Sequence, residues 1–375
     1  MTPGRGGCDT LSRVTEPRSL RVGLVGYGLG GSTFHAPLIS ATPGLELAAI
    51  ATSDAARVQA ATARYPRTTV VPKAEDLFTL APALDLIVVS TPHHTHAPIA
   101  RGALAAGCHV VIDKPFAVTA AEARELATLA AQHGRLAIPF QNRRYDADML
   151  TLQRLLRDGA LGTVHRFESR YERWRPTPKP RWTAEGAGDR GEGLLLDLMV
   201  HLVDQALVLF GPVRDVYAEF DRRHPQVHVV DDVFVALTHA TGVRSHLFTS
   251  ATVGIGGPRF TVLGSAGAFV KYGMDPQEDA LLAGATPGGA GWGREADANW
   301  GRLGAADAIR AVESEPGDYP RFYAGVAQAL ATGGPPPVTA AEGVAMMDAL
   351  EAARVSARER RVVTLQPAAS AAGAA

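Results

Sequence analysis

Three ionisable residues, Asp197, His201 and Asp204, stand at i, i+4 and i+7 within LLLDLMVHLVDQALVLF, residues 194–210. On a helix those offsets share one face. The residues around them are almost all apolar, and a helix that is apolar all round is buried. An unpaired carboxylate or imidazolium in such surroundings costs several kcal/mol, or its pKa shifts until it neutralises. Perturbed groups of this kind gather at functional sites, and an acid beside an imidazole is the apparatus of general acid–base catalysis. The plainer reading is a structural Asp–His hydrogen bond tying two layers together.

A second candidate is Lys114, in Asp113-Lys114-Pro115-Phe116 directly after the apolar run HVVI. Ligands of open α/β sheets bind outside the carboxyl ends of the strands. A lysine there can hydrogen-bond a reacting hydroxyl and stabilise the oxyanion that forms as hydride leaves. Strand ends also carry ordinary surface lysines, but Thr91-Pro92-His93 closes the preceding strand and makes a site the better reading.

Between the first strand and first helix, Gly26, Gly28 and Gly31 satisfy G-x-G-x-x-G, with Tyr27 and Leu29 between them. In that context glycines allow a tight turn and let a pyrophosphate approach backbone N–H groups at a helix N-terminus. About 20 residues on, NAD sites carry an acid for the ribose 2′-hydroxyl; here Thr52 and Ser53 follow Ala51. Small hydroxyl residues leave room for a 2′-phosphate, with Arg57 or Arg64 as counter-charge. NADP(H) is therefore preferred. NAD(H) is the alternative, because Asp54 either caps the next helix or reaches back to a ribose.

These residues need a frame, and the chain provides one. From Leu20, short β-branched runs (LRVGLVG, LELAAIA, TTVV, DLIVVS, HVVID, RLAIPF) alternate with helical stretches near 32–40, 55–64 and 119–133 and an Ala-rich one ending at Gly107. Continuous apolar strands alternating with helices make a doubly wound parallel sheet covered on both faces. After a helix at 146–158, longer strand-like segments follow with few helices between them, so the second half is a large, mostly antiparallel, open-faced sheet in an α+β domain. Its helices are 194–210, 319–330 and 340–357, and the Gly-rich stretch 284–293 is a loop. The expected organisation is a flexible leader (1–19), a Rossmann dinucleotide-binding domain (20–141), a substrate and oligomerisation domain (142–365) and a disordered tail (366–375).

Composition narrows the partners. Lys plus Arg total 37 against 38 for Asp plus Glu, so no global field draws the chain to nucleic acid or an anionic membrane. No run approaches membrane-span length. Only two cysteines occur, Cys8 and Cys108, which fits a reducing compartment; the cytoplasm is expected.

Taken in order, Gly26-Tyr27-Gly28 through Phe34-His35, Thr91-Pro92 with His96, Asp113-Lys114-Pro115 and Asp197 with His201 resemble the signatures of the glucose-fructose oxidoreductase, inositol dehydrogenase and rhizopine catabolism (Gfo/Idh/MocA) family, over residues 20 to 365. The resemblance implies a Rossmann domain, an open-faced α+β domain and a catalytic group of Lys114, Asp197 and His201. Phe140-Gln-Asn-Arg-Arg-Tyr145, Tyr171-Glu-Arg-Trp-Arg-Pro176 and Phe269-Val-Lys-Tyr-Gly273 through Glu278 are similar to its NADP-dependent scyllo-inositol dehydrogenase branch. Three departures stand out: Asp54 where that branch carries a basic residue, His93 for a small or amide residue, and Met199-Val200 for Gly-Ser or Gly-Pro before His201.

The expected activity is hydride transfer between nicotinamide and a secondary alcohol of a cyclitol or sugar. His201 accepts the proton, Asp197 orients or charges the histidine, and Lys114 steadies the oxygen. A nucleotide-dependent glycosidase and a non-catalytic cofactor sensor are the alternatives. Tyr171-Glu-Arg173-Trp174-Arg175-Pro176, continued by Lys179, Arg181 and Trp182, mixes rings that pack on a polyol or sugar, Tyr171 and Trp182 first, with cations for its hydroxyls, although a subunit contact uses the same residue types. Asn142 and Arg143 are expected to line the cleft. Thr91, Pro92, His93, His96 and Asp113 are expected at the cofactor, and His94 in solvent. His93, His94 and His96 invite a metal reading, but no cysteine accompanies them and Lys114 can serve the oxygen a zinc ion would polarise, so no metal is expected. A homodimer or homotetramer is expected through the second sheet.

Overall fold

The computed structural model describes residues 18–366. Most of the expected leader, Cys8 with it, and all but the first residue of the expected tail lie outside the described residues. The first sheet has six parallel strands: β1 (Leu20–Val25), β2 (Leu45–Ala51), β3 (Thr69–Val71), β4 (Leu86–Val89), β5 (His109–Ile112) and β6 (Ala137–Pro139). Every residue of β4 (LIVV) is buried, as a strand covered on both faces requires. The strand order is β3-β2-β1-β4-β5-β6, so the winding reverses between β1 and β4, where open α/β sheets bind ligands. Helices Ala55–Arg64, His96–Ala105 and Ala120–Gln132 follow the expected positions. A further short helix, Ala74–Thr79, opens where the Asp76 carboxylate accepts the Lys73 N–H at 3.0 Å; at one and a half turns it has no readable period.

The second sheet has nine strands: β7 (Val164–Glu172), β8 (Val213–Asp221), β9 (Asp232–His239), β10 (Arg244–Ser250), β11 (Phe260–Gly264), β12 (Gly267–Lys271), β13 (Gly301–Ala305), β14 (Ala308–Val312) and β15 (Val363–Thr364). Their order is β14-β13-β12-β11-β7-β10-β9-β8-β15, and every pair is antiparallel except β7 with β10. Alternation along β9 and β10 buries Val233, Val235, Leu237 and Leu247 on one face, against helices Val200–Phe210 and Ala340–Glu359. Phe167 lies 5.3 Å, centroid to centroid, from both Phe210 and Phe260. Each fully buried ring of this kind contributes about 1.5–3 kcal/mol.

Two features differ from the sequence reading. Residues 194–210 do not form one regular helix: Leu195–Met199 winds as a wider, π-type turn and only Val200–Phe210 is α-helical. That turn departs from the uniform helical spacing expected for Asp197, His201 and Asp204. Second, helix Pro320–Thr332 leaves the second domain and packs on the first sheet. Tyr319, Phe322, Tyr323 and Val326 share a core with Val22, Leu24, Ile50 and Val88. Spatially, the nucleotide domain is completed by sequence from beyond residue 142.

Candidate active site

A cavity of about 650 Å³ lies between the C-terminal ends of the first sheet and the inner helix of the second domain. Its walls include Leu29, Thr91, His93, Asp113, Lys114, Asn142, Arg143, Trp182, Asp197 and His201, all singled out from sequence.

The glycine turn is built as the motif requires. Gly26 has φ +95°, and a Cβ there would fall 2.1 Å from the Ser90 carbonyl oxygen; a Cβ on Gly31 would fall 2.0 Å from that of Gly26. Backbone thus lies on backbone at the switch point, leaving the N-terminus of the turn and helix spanning 30–41 open towards Leu29 and Gly30 on the cavity wall. Tyr27 is buried and Leu29 exposed. A dinucleotide fits these residues: the turn would hold the pyrophosphate. At the tip of β2, Thr52 is buried and donates its N–H to Val71 O, while Ser53 is exposed. The Asp54 carboxylate accepts the Arg57 N–H at 3.0 Å, so it caps helix Ala55–Arg64. The Arg57 guanidinium lies beside the Gly28 turn, 3.9 Å from where a Gly28 Cβ would stand; Arg64 instead reaches over the Tyr65 ring.

Lys114 follows β5, and the Asp113 side chain sets its backbone. Asp113 Oδ1 accepts the Lys114 N–H at 2.8 Å and Oδ2 accepts the Ser90 hydroxyl at 2.9 Å, with His35 Nε2 at 3.4 Å. Burial pushes the Asp113 carboxyl up, but His35 and Lys114 outweigh it and hold it well below the usual carboxylate range. Lys114 Nζ then crosses to the second domain and donates to both the Asp197 carbonyl and Asp197 Oδ1, each at 2.9 Å.

Asp197 does not orient His201 through a hydrogen bond. Its Oδ2 accepts Lys179 Nζ at 2.7 Å and Arg181 at 3.3 Å, so both carboxylate oxygens are taken by cations. Burial raises the Asp197 carboxyl, but the ammonium groups of Lys114 and Lys179 outweigh it and keep it ionised. The physical reason is charge: three cations from two loops converge on one carboxylate, whose own charge still acts on the imidazole and opposes the lowering of its pKa. His201 Nδ1 is buried with no hydrogen-bond partner, which leaves Nε2 for the cavity. Burial, then the charges of Arg143 and Lys114, depress the His201 pKa well below 6.5, so the imidazole is neutral. Asp204 is not part of the site. It accepts two hydrogen bonds from Arg144, at 2.7 and 2.9 Å, and is a structural ion pair.

The other candidates divide. Asn142 and Arg143 reach the cavity from the turn after β6, and Arg143 is held by Glu278 and the Tyr319 hydroxyl. Trp182 closes one wall, fully buried, with Lys179 Nζ 5.0 Å from its ring centroid. Tyr171 does not line the cavity. It lies behind His201 with Arg259 4.2 Å over its ring, because β7 alternation turns Phe167, Ser169 and Tyr171 towards the helix layer. His93 lines the cavity with Nδ1 2.8 Å from Gly191 O, and burial lowers its pKa to about 3. His96 is fully buried below the cavity, its two ring nitrogens each 2.9 Å from a carbonyl oxygen, Pro115 O and Thr91 O; the neutral ring donates to one of them, so it lies under the two strand tips rather than in the cleft. His94 is exposed, and Pro92, whose carbonyl accepts the Thr95 N–H, is off the cavity wall. Among the described residues, no three His, Cys, Asp or Glu side chains group to hold a metal ion, and no helix is long and apolar enough to cross a membrane. Residues the sequence reading missed are Ser90 and Glu278 as the Arg143 partner, while Arg173 and Arg175, expected only as part of the cationic run from Tyr171 to Pro176, stand on the cavity wall. Continued alternation past Tyr171 was the signal for the last two.

Residues 20–140 match a family model described as "Oxidoreductase family, NAD-binding Rossmann fold", and residues 149–270 one described as "GFO/IDH/MocA C-terminal domain". The chain is 41% identical over 351 residues to an uncharacterised oxidoreductase of Escherichia coli, YdgJ, covering 92% of this chain and 99% of that protein. It is 34% identical over 353 residues to the scyllo-inositol 2-dehydrogenase (NADP(+)) IolW of Bacillus subtilis, covering 93% and 96%. Among solved structures, an oxidoreductase from Yersinia pestis superposes with TM-score 0.86 at 39% identity, covering 94% of this chain and 99% of that one.

Proposed function

This chain belongs to the Gfo/Idh/MocA oxidoreductases, and from that premise we propose an NADP(H)-preferring dehydrogenase acting on a secondary alcohol of a cyclitol or sugar. One observation carries the reading. Lys114, from the nucleotide domain, and Asp197, from the second domain, touch at 2.9 Å in the same cavity that His201 lines, so an alcohol entering there meets a cation and a neutral imidazole together.

When bound, the nicotinamide supplies the hydride acceptor. His201 Nε2 takes the hydroxyl proton, a role for which its depressed pKa keeps it unprotonated near neutrality. Lys114 Nζ donates to the same oxygen and stabilises the negative charge that grows as the C–H bond breaks. Asp197 acts through Lys114: its carboxylate and carbonyl aim the ammonium into the cavity. In the reverse direction His201 returns the proton. Trp182 offers an apolar wall to the C–H face of a ring, and Asn142 and Arg143 offer polar partners to its hydroxyls.

NADP(H) is favoured by Arg57 beside the Gly28 turn, by the small side chains of Thr52 and Ser53, and by Asp54 serving its helix rather than a ribose. The relative from Bacillus subtilis, named as NADP(+)-dependent, supports the same cofactor. Association through the open face of the second sheet is supported by Phe234 and Phe248, which pack at 5.0 Å with Arg170 4.3 Å over Phe248. The cysteine content supports a cytoplasmic enzyme.

The test is a screen at about 340 nm with NADP+ or NAD+ against inositols and aldoses. At least one cyclitol or sugar should raise the absorbance, faster with NADP+. No turnover with any of them would refute the dehydrogenase, and tighter binding of NAD+ would refute the cofactor preference.

A further inference from the structure

Arg173 and Arg175 carry charge that a neutral polyol does not use. Past Glu172 the chain stays extended: the Arg173 N–H donates to Ser250 O at 2.9 Å and the Arg175 N–H to Ala251 O at 2.8 Å, while Trp174 between them pairs with Thr252. Alternation puts the two arginines on the cavity wall, Arg173 exposed at its rim and Arg175 half-buried, and leaves Trp174 62% exposed. The Arg175 carbonyl is held in turn by His224 Nε2 at 2.7 Å, and His224 Nδ1 sits 2.5 Å from the buried carboxylate of Asp231. Both side chains therefore project from a fixed backbone.

Charge on the cavity wall does not balance. Six cations, Lys114, Arg143, Arg173, Arg175, Lys179 and Arg181, face three carboxylates, Asp113, Asp197 and Glu278, and even with Arg181 paired to Glu192 at 2.7 Å the wall keeps a surplus of two. Every carboxylate is engaged: Asp113 by His35 and the Lys114 N–H, Asp197 by Lys114, Lys179 and Arg181, Glu278 by Arg143. Among the described residues, neither the Arg173 nor the Arg175 guanidinium makes a hydrogen bond or an ion pair; Arg173 acts on Glu278, and Arg175 on Lys179, only through space. Guanidinium groups match carboxylate and phosphate oxygens in a way they do not match single hydroxyls, and a cleft with surplus positive charge concentrates anions.

We infer that the substrate is a polyol bearing an oxyanion, a carboxylate or a phosphate, which Arg173 and Arg175 bind while its alcohol faces Lys114 and His201. This rests on the dehydrogenase reading above and specifies its substrate class. The bound anion would also offset the positive field around His201, to which Arg143 and Lys114 already contribute.

The experiment compares kcat/KM, with NADP+, for probes matched except in charge: glucose against glucuronate and glucose 6-phosphate, and myo-inositol against an inositol monophosphate. The charged-to-neutral ratio is the readout, because misfolding lowers both rates. It should exceed about tenfold for the carboxylate or the phosphate arm, which identifies the group, and fall towards one in the double variant Arg173→Gln, Arg175→Gln, with KM carrying the change. A ratio near one in the parent protein, or a ratio unmoved in the variant, would overturn the inference. If no probe turns over with either cofactor, the dehydrogenase reading fails, and calorimetry of the same probes on NADPH-loaded protein decides the anion site separately. Binding of charged probes that the variant loses would uphold it, and no binding, or binding indifferent to charge, would overturn it.

Discussion

Replacing Lys114 with methionine tests the proposed reaction centre most directly, because it removes a charge while keeping most of the side chain's length. Two effects should follow. The oxygen loses a charged donor in a site shielded from bulk water, and loss of one such donor costs about 10²- to 10³-fold in kcat. In addition, the Lys114 charge is one of the cations that depress the His201 pKa, so its removal lets that pKa rise and moves the acid limb of the kcat/KM profile to higher pH. Stability should change little. Asp197 keeps Lys179 at 2.7 Å and Arg181 at 3.3 Å, and the lost pair is partly open, with 21% of the Lys114 side chain exposed. A loss of about 1 kcal/mol is the scale for such a pair. The assay is steady-state turnover from pH 4 to 9 with saturating cofactor, beside a thermal melt. A kcat within threefold of the parent protein, or an acid limb that moves down, would refute the placement of Lys114 beside the reacting oxygen and His201.

Substituting Arg57 with serine should lower kcat/KM for NADP+ by about tenfold while altering that for NAD+ far less, since the loss is of a charged hydrogen bond to one phosphate; equal effects on both cofactors would remove Arg57 from the 2′-phosphate. Arg259→Met should destabilise the fold by about 3–5 kcal/mol, because it strands Asp148, whose side chain is 1% exposed and whose ion-pair partner is Arg259 at 3.2 Å; urea unfolding measures it, and a change under about 1 kcal/mol would contradict the buried pair. Burial holds His93, His96 and His201 below 6.5, so below pH 6.5 the unfolded chain takes protons the folded one refuses. The stability these neutral imidazoles preserve is complete above about pH 6.5 and is lost as pH falls, by up to about 1.4 kcal/mol per unit for each. The depressed carboxyls of Asp113 and Asp197 add nothing until the unfolded carboxylates titrate, near pH 4. Unfolding free energies from urea melts at pH 7 and pH 5 should therefore differ by a few kcal/mol, and a flat profile would show the imidazoles to be solvated.

The features legible in the sequence were those fixed by local period and local turn chemistry. Runs such as LIVV and HVVI have no alternation because both faces are covered, and the glycines of the first turn are forced by backbone contacts within a few residues of the strand tips. The strand-tip position of Lys114 followed from the same pattern. Partners distant in sequence were not legible. Asp204 shared the apolar run and periodicity of His201, and only Arg144, 60 residues earlier, makes it structural. Spacing pairs Asp197 with His201, and its charge does act on the imidazole, but spacing does not see Lys179 arriving from a loop to take its hydrogen bonds. Tyr171 and Trp182 looked alike as aromatics in one cationic run; strand parity separates them, turning Tyr171 into the layer behind His201.

The return of helix Pro320–Thr332 to the first sheet has a consequence during synthesis. Val22, Leu24 and Val88 find Phe322, Tyr323 and Val326 only after more than 300 residues have left the ribosome, so the earliest-made half of the protein waits with part of one apolar face covered only by its own helices at 36–41 and 55–64. Such a face invites association until its cover arrives. Translation speed and chaperone supply should therefore affect the yield of this protein.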